Sequence, residues 1–250
     1  MEYVALAVWC FLVALGGGLV GLVLGNLRLP IVLLIASSPA AGTGTNIGIS
    51  AVAAASASVA HVRAGRINWR LFAWMAPPSV VGAIAGGYLS GVIPGSLLLI
   101  GVAAVLLYSA FELLRPKTWP APVRHGGSES LNIRAAVLTG FAIGVLGGIV
   151  GLILGSLRIP ALLRVVGEAP ARAVGTNVTV GFCVGIAGVL GHLPSAAPDW
   201  DLLGIGAAAS IPAALLGSRL TGRLSEDRLL QAIGVVLIVA GASMVVEALT

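Results

Sequence analysis

Two arginines that stand in apolar segments are the residues best able to do chemistry. Arg28 follows Asn26 in the run NLRLP, and Arg158 follows Ser156 in the run SLRIP. An arginine at the centre of a membrane costs roughly 2.5–3.5 kcal/mol on insertion scales, so it needs a partner or a water-filled cavity. Because the guanidinium fork binds oxyanions through paired hydrogen bonds, we expect these four residues to bind a small tetrahedral anion. The alternative is that each arginine lies at a hairpin end and extends to the membrane surface.

A second set of candidates is the tripeptide Gly-Thr-Asn, which occurs as Gly44-Thr45-Asn46 and as Gly175-Thr176-Asn177. Each copy is predicted to open a membrane span. A Gly-Thr-Asn turn at the start of a helix offers free backbone NH groups and a hydroxyl, and such groups attract anions. We therefore expect both copies to contribute to the anion site, although an ordinary N-cap would explain either copy alone.

The remaining polar residues do not form a catalytic set. His61 and His192 each lie at the end of a predicted span, where we interpret them as interfacial residues rather than proton relays. Cys10 and Cys183 lack the spacing of metal ligands, so no metal or other cofactor is expected. No Ser/His/Asp, Cys/His, paired-carboxylate or P-loop arrangement occurs, which argues against an enzyme. The scarcity of acids in the apolar segments argues against a cation path and against acid-based proton coupling.

The composition is that of a membrane protein. Of the 250 residues, 58% are hydrophobic and 9% are charged, whereas a soluble domain carries about 25% charged residues. The net charge of +5 comes from basic residues in short loops between apolar runs. Such residues are topology signals that face an anionic leaflet, so the partner is the lipid bilayer and not nucleic acid. A homo-oligomer is left open.

The chain contains an internal repeat. Residues 17–30, GGLVGLVLGNLRLP, match residues 147–160, GGIVGLILGSLRIP, at an offset of 130. The match continues at an offset of 131, where the two Gly-Thr-Asn copies, the two histidines and a pair of tryptophans coincide. We therefore divide the chain into a first transmembrane repeat (1–114), a cytoplasmic linker (115–132) and a second transmembrane repeat (133–250).

The distribution of Lys and Arg indicates that the second repeat is inverted. In the first repeat the basic loop, 63–70, comes before the second clear span. In the second repeat the equivalent loop, 192–201, has no Lys or Arg, and the basic loop, 219–228, comes one span later. Under the positive-inside rule the halves therefore have opposite orientations, with both termini outside the plasma membrane.

An all-α, polytopic fold follows, in which each inverted repeat is a broken-helix hairpin followed by three transmembrane helices. Glycines and prolines between residues 16 and 42 interrupt the first apolar region and favour a hairpin that enters and leaves on one side. The region 133–174 is its counterpart. Each clear span approaches the roughly 20 residues that cross the hydrocarbon, and the six lie at about 46–62, 70–92, 96–114, 177–192, 202–219 and 228–248.

These motifs resemble the sulfite exporter TauE/SafE family of permeases over nearly the whole chain. The resemblance rests on the glycine-rich segments that end at Pro30 and Pro160, on the two Gly-Thr-Asn copies, on HVRAGRINWR at 61–70 and on SRLTGRL at 218–224. The family usually has Gly-Thr-Ser where this chain has Gly-Thr-Asn, and it commonly has further glycines where this chain has Arg28 and Arg158. The resemblance implies transport of sulfite, a sulfonate or a related organic anion across the plasma membrane.

Inverted repeats with broken helices are a transporter plan in which substrates bind where the discontinuous helices meet. We therefore expect a secondary transporter or facilitator of a small anion that works by alternating access. One alternative is a channel-like pore for a small inorganic anion or a neutral solute. Another is a membrane subunit that acts only within a larger assembly.

Overall fold

A computed structural model describes residues 2–20, 23–114, 132–168, 170–194 and 196–219, with isolated positions at 238, 242 and 245–246. Over these residues the chain is all-α, as predicted. The helices in the described ranges are α1 (Glu2–Val20), α2 (Gly25–Ile35), α3 (Pro39–Arg63), α4 (Trp69–Ser90), α5 (Gly95–Leu114), α6 (Ile133–Val150), α7 (Gly155–Ala161), α8 (Pro170–His192) and α9 (Trp200–Arg219). A π-helical turn, Leu162–Val166, continues α7. Four of them, α3, α6, α8 and α9, are long and apolar enough to cross a membrane.

Each repeat begins with the predicted broken hairpin. In the first repeat the indole of Trp9 on α1 donates a 3.0 Å hydrogen bond to the carbonyl of Leu27 on α2. Two turns further along α1, Gly16 faces Leu24, so α2 returns antiparallel to α1. In the second repeat α6 ends at Gly151 in the left-handed conformation (φ 71°), and α7 returns beside it. The hairpin expectation is therefore confirmed.

The predicted start of the span after each hairpin was wrong. α3 begins at Pro39 rather than at residue 46, and α8 begins at Pro170 rather than at residue 177. Ser38 caps α3, because its hydroxyl accepts from the amide of Ala41, and proline is well suited to the first turn of a helix. The Gly-Thr-Asn tripeptides therefore lie in the second turn of their helices and do not open them. The predicted span 228–248 and the linker 115–132 fall outside the described ranges, apart from the isolated C-terminal positions and residue 132.

The two equivalent helices α3 and α8 pack against each other in opposite directions. Near one end Gly44 of α3 lies against His192 of α8. Near the other end the hydroxyls of Ser58 and Thr179 share a 2.8 Å hydrogen bond. Because the equivalent helices are antiparallel, the two halves are inverted repeats, as predicted.

The fourth helix of each repeat packs against helices of the other repeat. α4 of the first repeat runs parallel to α6 and α8 of the second, and α9 of the second runs parallel to α1 and α3 of the first. Along α4, Met75 lies against Gly140 and Ala83 lies against Gly148. These close approaches need small residues, which allow helix backbones to touch within a membrane. Neither repeat packs as a separate unit.

This packing between the repeats places exposed basic residues at one end of the bundle. The loop between α3 and α4 meets the start of α8 there, since Asn68 contacts Thr176. Among the described residues, the exposed arginines near this end are Arg63, Arg66, Arg70, Arg134 and Arg172. The opposite end, where Asp199 and His192 lie, presents no described Lys or Arg. Large apolar side chains such as Leu34, Leu138 and Trp69 are exposed on the outer helix faces, where lipid would cover them.

Candidate functional site

Arg28 is a buried cation held by the next helix. It lies in the first turn of α2 with 1% of its side chain exposed. Its Nε donates to the side-chain oxygen of Asn46 at 2.9 Å. Its Nη2 donates to the Asn46 carbonyl at 3.2 Å and to the Ser50 hydroxyl at 2.6 Å. The antiparallel packing of α2 on α3 brings these residues together, and Gly25 permits it because a Cβ there would strike the Ser50 hydroxyl.

Arg158 occupies the equivalent place in the second repeat, but its guanidinium is held far less completely. Its side chain is 0% exposed. Nη1 donates to the side-chain oxygen of Asn177 at 3.2 Å. Neither Nε nor Nη2 has a hydrogen-bond partner among the described residues. An unsatisfied charged donor in the interior costs more than a neutral one, so this arrangement favours a ligand with acceptor oxygens.

One difference between the repeats accounts for part of this asymmetry, at the Nη2 atom. Ser50 supplies the acceptor for Nη2 of Arg28. At the offset of 131, the residue equivalent to Ser50 is Gly181, which has no side chain to offer Arg158. The two arginines are thus equivalent in position and unequal in hydrogen bonding.

Carboxylates do not neutralise either arginine in the part of the chain that the structure describes. The buried Glu168 is the acid nearest to Arg158 in sequence, and its carboxylate contacts Asn68 and lies 3.6 Å from Arg172. Arg28 is surrounded by the amide of Asn46 and the hydroxyl of Ser50, which are neutral. A buried charge normally requires a partner of opposite sign, so this region has a net attraction for anions.

Asn46 also joins the first repeat to the break in the second. Its side-chain Nδ2 donates a 2.9 Å hydrogen bond to the carbonyl of Gly151, which lies between α6 and α7. A Cβ on Gly151 would strike the backbone of Thr43, one turn before Asn46 on α3. The Arg28 cluster therefore touches the interrupted segment of the opposite repeat, as expected for a transporter site built from discontinuous helices.

The threonines of the two tripeptides do not face the arginines. The hydroxyl of Thr45 accepts a 2.8 Å hydrogen bond from the backbone amide of Asp199, just before α9. The hydroxyl of Thr176 accepts a 3.0 Å hydrogen bond from the backbone amide of Asn68, just before α4. Asn68 and Asp199 are equivalent by the repeat. Each threonine therefore satisfies a free amide at the start of a helix in the opposite repeat.

Each of these contacts is reinforced by a second, equivalent pair. Ser37 donates from its backbone amide to the Asp199 carboxylate at 3.0 Å, and its hydroxyl also bonds this carboxylate. At the other end the side-chain amide of Asn68 donates from Nδ2 to the carboxylate of Glu168. Ser37 and Glu168 are equivalent at the offset of 131, so each pair contains one acid. In the first pair the acid is Asp199, just before α9, and in the second it is Glu168, in the loop before α8. We call these contacts the Asp199 clasp and the Asn68 clasp.

The other predicted site residues have structural contacts or lie outside the description. The side-chain oxygen of Asn26 accepts from the amide of Leu27 and contributes nothing to the guanidinium of Arg28. The backbone of Ser156 belongs to α7, and its side chain falls outside the described residues. Gly44 packs on the ring of His192, and Gly175 packs on the backbone of Arg66.

His192 is buried, which its interpretation as an interfacial residue did not anticipate. It ends α8, but its side chain is 0% exposed, because α3 and α4 cover the ring. His61, its equivalent, ends α3 and is partly exposed. The burial of His192 could not be predicted, because the residues that cover its ring are distant in sequence.

Sequence reasoning missed Ser50, Asn68 and Asp199 as partners of the predicted residues. The signal for the last two was present, because both precede a tryptophan at equivalent positions in the repeat. The difference between Ser50 and Gly181 was also visible in the alignment of the two halves. The effect of this difference on the arginines could not be predicted, because it depends on which faces of α3 and α8 pack against α2 and α7.

Comparison with known proteins agrees with this architecture. The family model described as "Sulfite exporter TauE/SafE" matches residues 6–244. A curated protein of Bacillus subtilis (strain 168), "Probable membrane transporter protein YunE", is 22% identical over 274 residues, which cover 99% of this chain and 98% of the relative. No solved structure matches the chain. The chain, with its inverted repeats and its buried arginines, therefore belongs to the sulfite exporter TauE/SafE family of membrane transporters.

Proposed function

We propose that the protein is a secondary transporter that carries a small oxyanion, sulfite or an organosulfonate, across the plasma membrane by alternating access. The observation that carries the proposal is the pair of buried guanidiniums at Arg28 and Arg158. Two nitrogens of Arg158 find no acceptor in the part of the chain that the structure describes. A sulfite or sulfonate group presents three oxygens, and two of them would match the free Nε and Nη2. Charge-assisted bonds of this kind are worth about 1.5–3 kcal/mol each.

The two clasps support alternating access. One end of the bundle is held by Asp199 with Ser37 and Thr45, and the other by Asn68 with Glu168 and Thr176. Inverted repeats can exchange conformations, so the opening of one clasp while the other stays closed would expose the arginines to one side at a time.

The orientation that we propose places the exposed arginines between α3 and α4 in the cytoplasm. Because α1 runs parallel to α3, the N terminus then lies outside. The Asn68 clasp becomes the inner one and the Asp199 clasp the outer one. The predicted location of both termini outside is consistent with this arrangement.

Uptake of radiolabelled sulfite and of a labelled sulfonate into proteoliposomes tests the proposal. We expect saturable uptake that falls about tenfold to a hundredfold in Arg158→Gln, which corresponds to the loss of a charge-assisted interaction. Arg70→Gln is the matched control, because Arg70 is exposed at the start of α4. Flux that does not saturate would indicate a channel, and saturable flux that is equal in both variants would remove Arg158 from the site.

A further inference from the structure

The buried ring of His192 occupies a slot between the two repeats. On α3 a Cβ added to Gly44 would stand 3.1 Å from the ring carbon Cγ, and on α4 a Cβ added to Gly87 would stand 2.8 Å from Nδ1. Both distances are shorter than a normal contact, so the two glycines leave room for the imidazole and for little else. The slot exists only where α3, α4 and α8 meet.

The first ring nitrogen of His192 carries a hydrogen. Nδ1 lies 2.7 Å from the backbone carbonyl of Gly188, one turn earlier on α8. A carbonyl oxygen accepts hydrogen bonds and cannot donate one, so Nδ1 is the donor. Any further proton therefore binds at Nε2.

Nε2 is part of a chain that can serve either protonation state. It lies 3.0 Å from the hydroxyl of Thr43, and this hydroxyl lies 2.8 Å from the carbonyl of Ala40. Thr43 has one hydroxyl hydrogen for these two acceptors. When the ring is neutral, the Thr43 hydroxyl donates to Nε2, and the Ala40 carbonyl receives no hydrogen bond from Thr43. With an imidazolium, Nε2 donates to Thr43 and Thr43 donates to Ala40. Only the protonated ring makes all of the contacts at once, and the heavy atoms need not move.

Within the described ranges, the groups that the structure places against the ring are uncharged. α3 presents Thr43 and Gly44, α4 presents Gly87, and α8 presents the carbonyl of Gly188. The nearest connected carboxylate belongs to Asp199, whose amide bonds Thr45, and this carboxylate is engaged by Ser37. An anion bound beside Arg28 would therefore bring to this region a charge that the groups against the ring do not supply.

His192 is also connected to the arginine site and lies at the end of α8. The backbone of Thr43 packs on Gly151, and the Gly151 carbonyl accepts from Asn46, the partner of Arg28. In the other direction α8 ends at His192, and the next residue, Leu193, is exposed. The ring thus lies one residue from an exposed position, and it has a contact path to the anion site.

We propose that His192 Nε2 is a proton-binding site that couples proton movement to anion transport. The inference rests on the proposed anion transport, and it names the coupling ion. The proton enters from the outer end and adds to the Nε2 lone pair, while the Thr43 hydroxyl hydrogen turns from Nε2 to the Ala40 carbonyl. The proton leaves to the opposite side with the anion. A monovalent sulfonate and one proton move together without net charge, so the membrane potential does not oppose the step.

Wild-type proteoliposomes with a trapped pH indicator test the coupling. Isethionate is a suitable probe, because a sulfonate keeps its charge over the range of about pH 5 to 8 in which histidine titrates. We expect an inward isethionate gradient to acidify the lumen, and an imposed pH gradient to drive isethionate accumulation. Isethionate uptake with no proton movement would overturn the inference and leave the proposed anion transport standing.

Variants assign the proton to one residue. In His192→Gln we expect proton movement to fall to the level of protein-free vesicles, while isethionate exchange at equal concentrations on both sides continues. His61→Gln is the matched control and should retain both activities. Retained proton movement in His192→Gln would contradict the inference. If His192→Gln does not fold, Thr43→Val removes the hydroxyl relay alone, and unchanged proton movement in this variant would contradict the inference equally.

Imidazole NMR of the purified, ¹⁵N-histidine-labelled wild type separates this inference from the proposed function. We expect one buried imidazole to titrate, with its midpoint raised by isethionate because the anion favours the charged ring. Wild-type vesicles that neither transport nor exchange isethionate would overturn the proposed function. A buried imidazole that does not titrate, or whose midpoint ignores isethionate, would overturn the proton site.

Discussion

The hydroxyl of Thr45, in the first repeat, accepts a hydrogen bond of 2.8 Å from the backbone amide of Asp199, in the second. The inverse contact, between Thr176 and Asn68, measures 3.0 Å. Each repeat therefore closes the start of a helix that belongs to the other, once at each end of the bundle. Two equivalent contacts at opposite ends are the arrangement that our proposed alternating access requires, in which one contact opens while the other stays closed.

Thr45→Val and Thr176→Val should shift the conformational equilibrium in opposite directions. Each change leaves a helix-start amide without its acceptor, which costs about 1–3 kcal/mol when the group stays buried. We expect Thr45→Val to favour the state open at the Asp199 end and Thr176→Val to favour the state open at the Asn68 end. Spin-label distances across the two ends of the bundle measure both shifts.

The double variant and a matched threonine provide the controls. Thr45→Val combined with Thr176→Val should restore a distribution close to that of the wild type. Thr139→Val should change neither distance, since the Thr139 hydroxyl bonds only carbonyls within its own helix. A shift in the same direction for both single variants would contradict the account.

Replacement of the two arginines by methionine should have opposite effects on stability. Arg158→Met removes a buried charge with two nitrogens that no described residue satisfies, so we expect the protein to be unchanged or up to about 3 kcal/mol more stable. Arg28→Met leaves the buried Asn46 and Ser50 oxygens without their donor, so we expect a loss of about 1–3 kcal/mol.

Thermal unfolding in detergent, followed by tryptophan fluorescence, compares the two arginine variants. The stable Arg158→Met protein should nevertheless be inactive in transport. This result is expected where a residue that lowers stability is needed for function. Equal losses of stability at both positions would show that Arg158 is held as tightly as Arg28, and would remove the argument for a ligand there.

Ser50→Ala should destabilise the fold through Arg28 alone. The change removes the acceptor at 2.6 Å from Nη2 and should cost about 1.5–3 kcal/mol, the range for hydrogen bonds to charged groups. Ser210→Ala is the matched control, because the buried Ser210 hydroxyl bonds only the Gly206 carbonyl of its own helix. We expect the control to change the unfolding temperature little. Equal effects of the two variants would contradict the assigned role of Ser50.

Cysteine labelling tests the orientation. In a background without Cys10 and Cys183, a membrane-impermeant maleimide should label Val92→Cys from outside intact cells and Ala64→Cys only after lysis. Both positions are exposed at the ends of α4 and α3. The opposite pattern would place the exposed arginines outside and would contradict the proposed topology.

The architecture could be predicted because the repeat carries polar landmarks through apolar sequence. The offsets of 130 and 131 align Arg28 with Arg158 and the two tripeptides with each other, and the basic loops indicate inversion. The start of α3 could not be placed by hydropathy, since its first turns contain polar Thr43 and Thr45. Their roles depend on partners that lie more than a hundred residues away, as does the burial of His192.

Bound selenite tests the central claim most directly, because it has the shape and charge of sulfite and its selenium can be located by anomalous diffraction. The account predicts an anomalous peak beside Arg158, with selenite oxygens at hydrogen-bond distance, about 2.7–3.2 Å, from Nε or Nη2. The peak should be absent from crystals of Arg158→Gln. A peak remote from both Arg158 and Arg28, in a protein that transports selenite, would contradict the account.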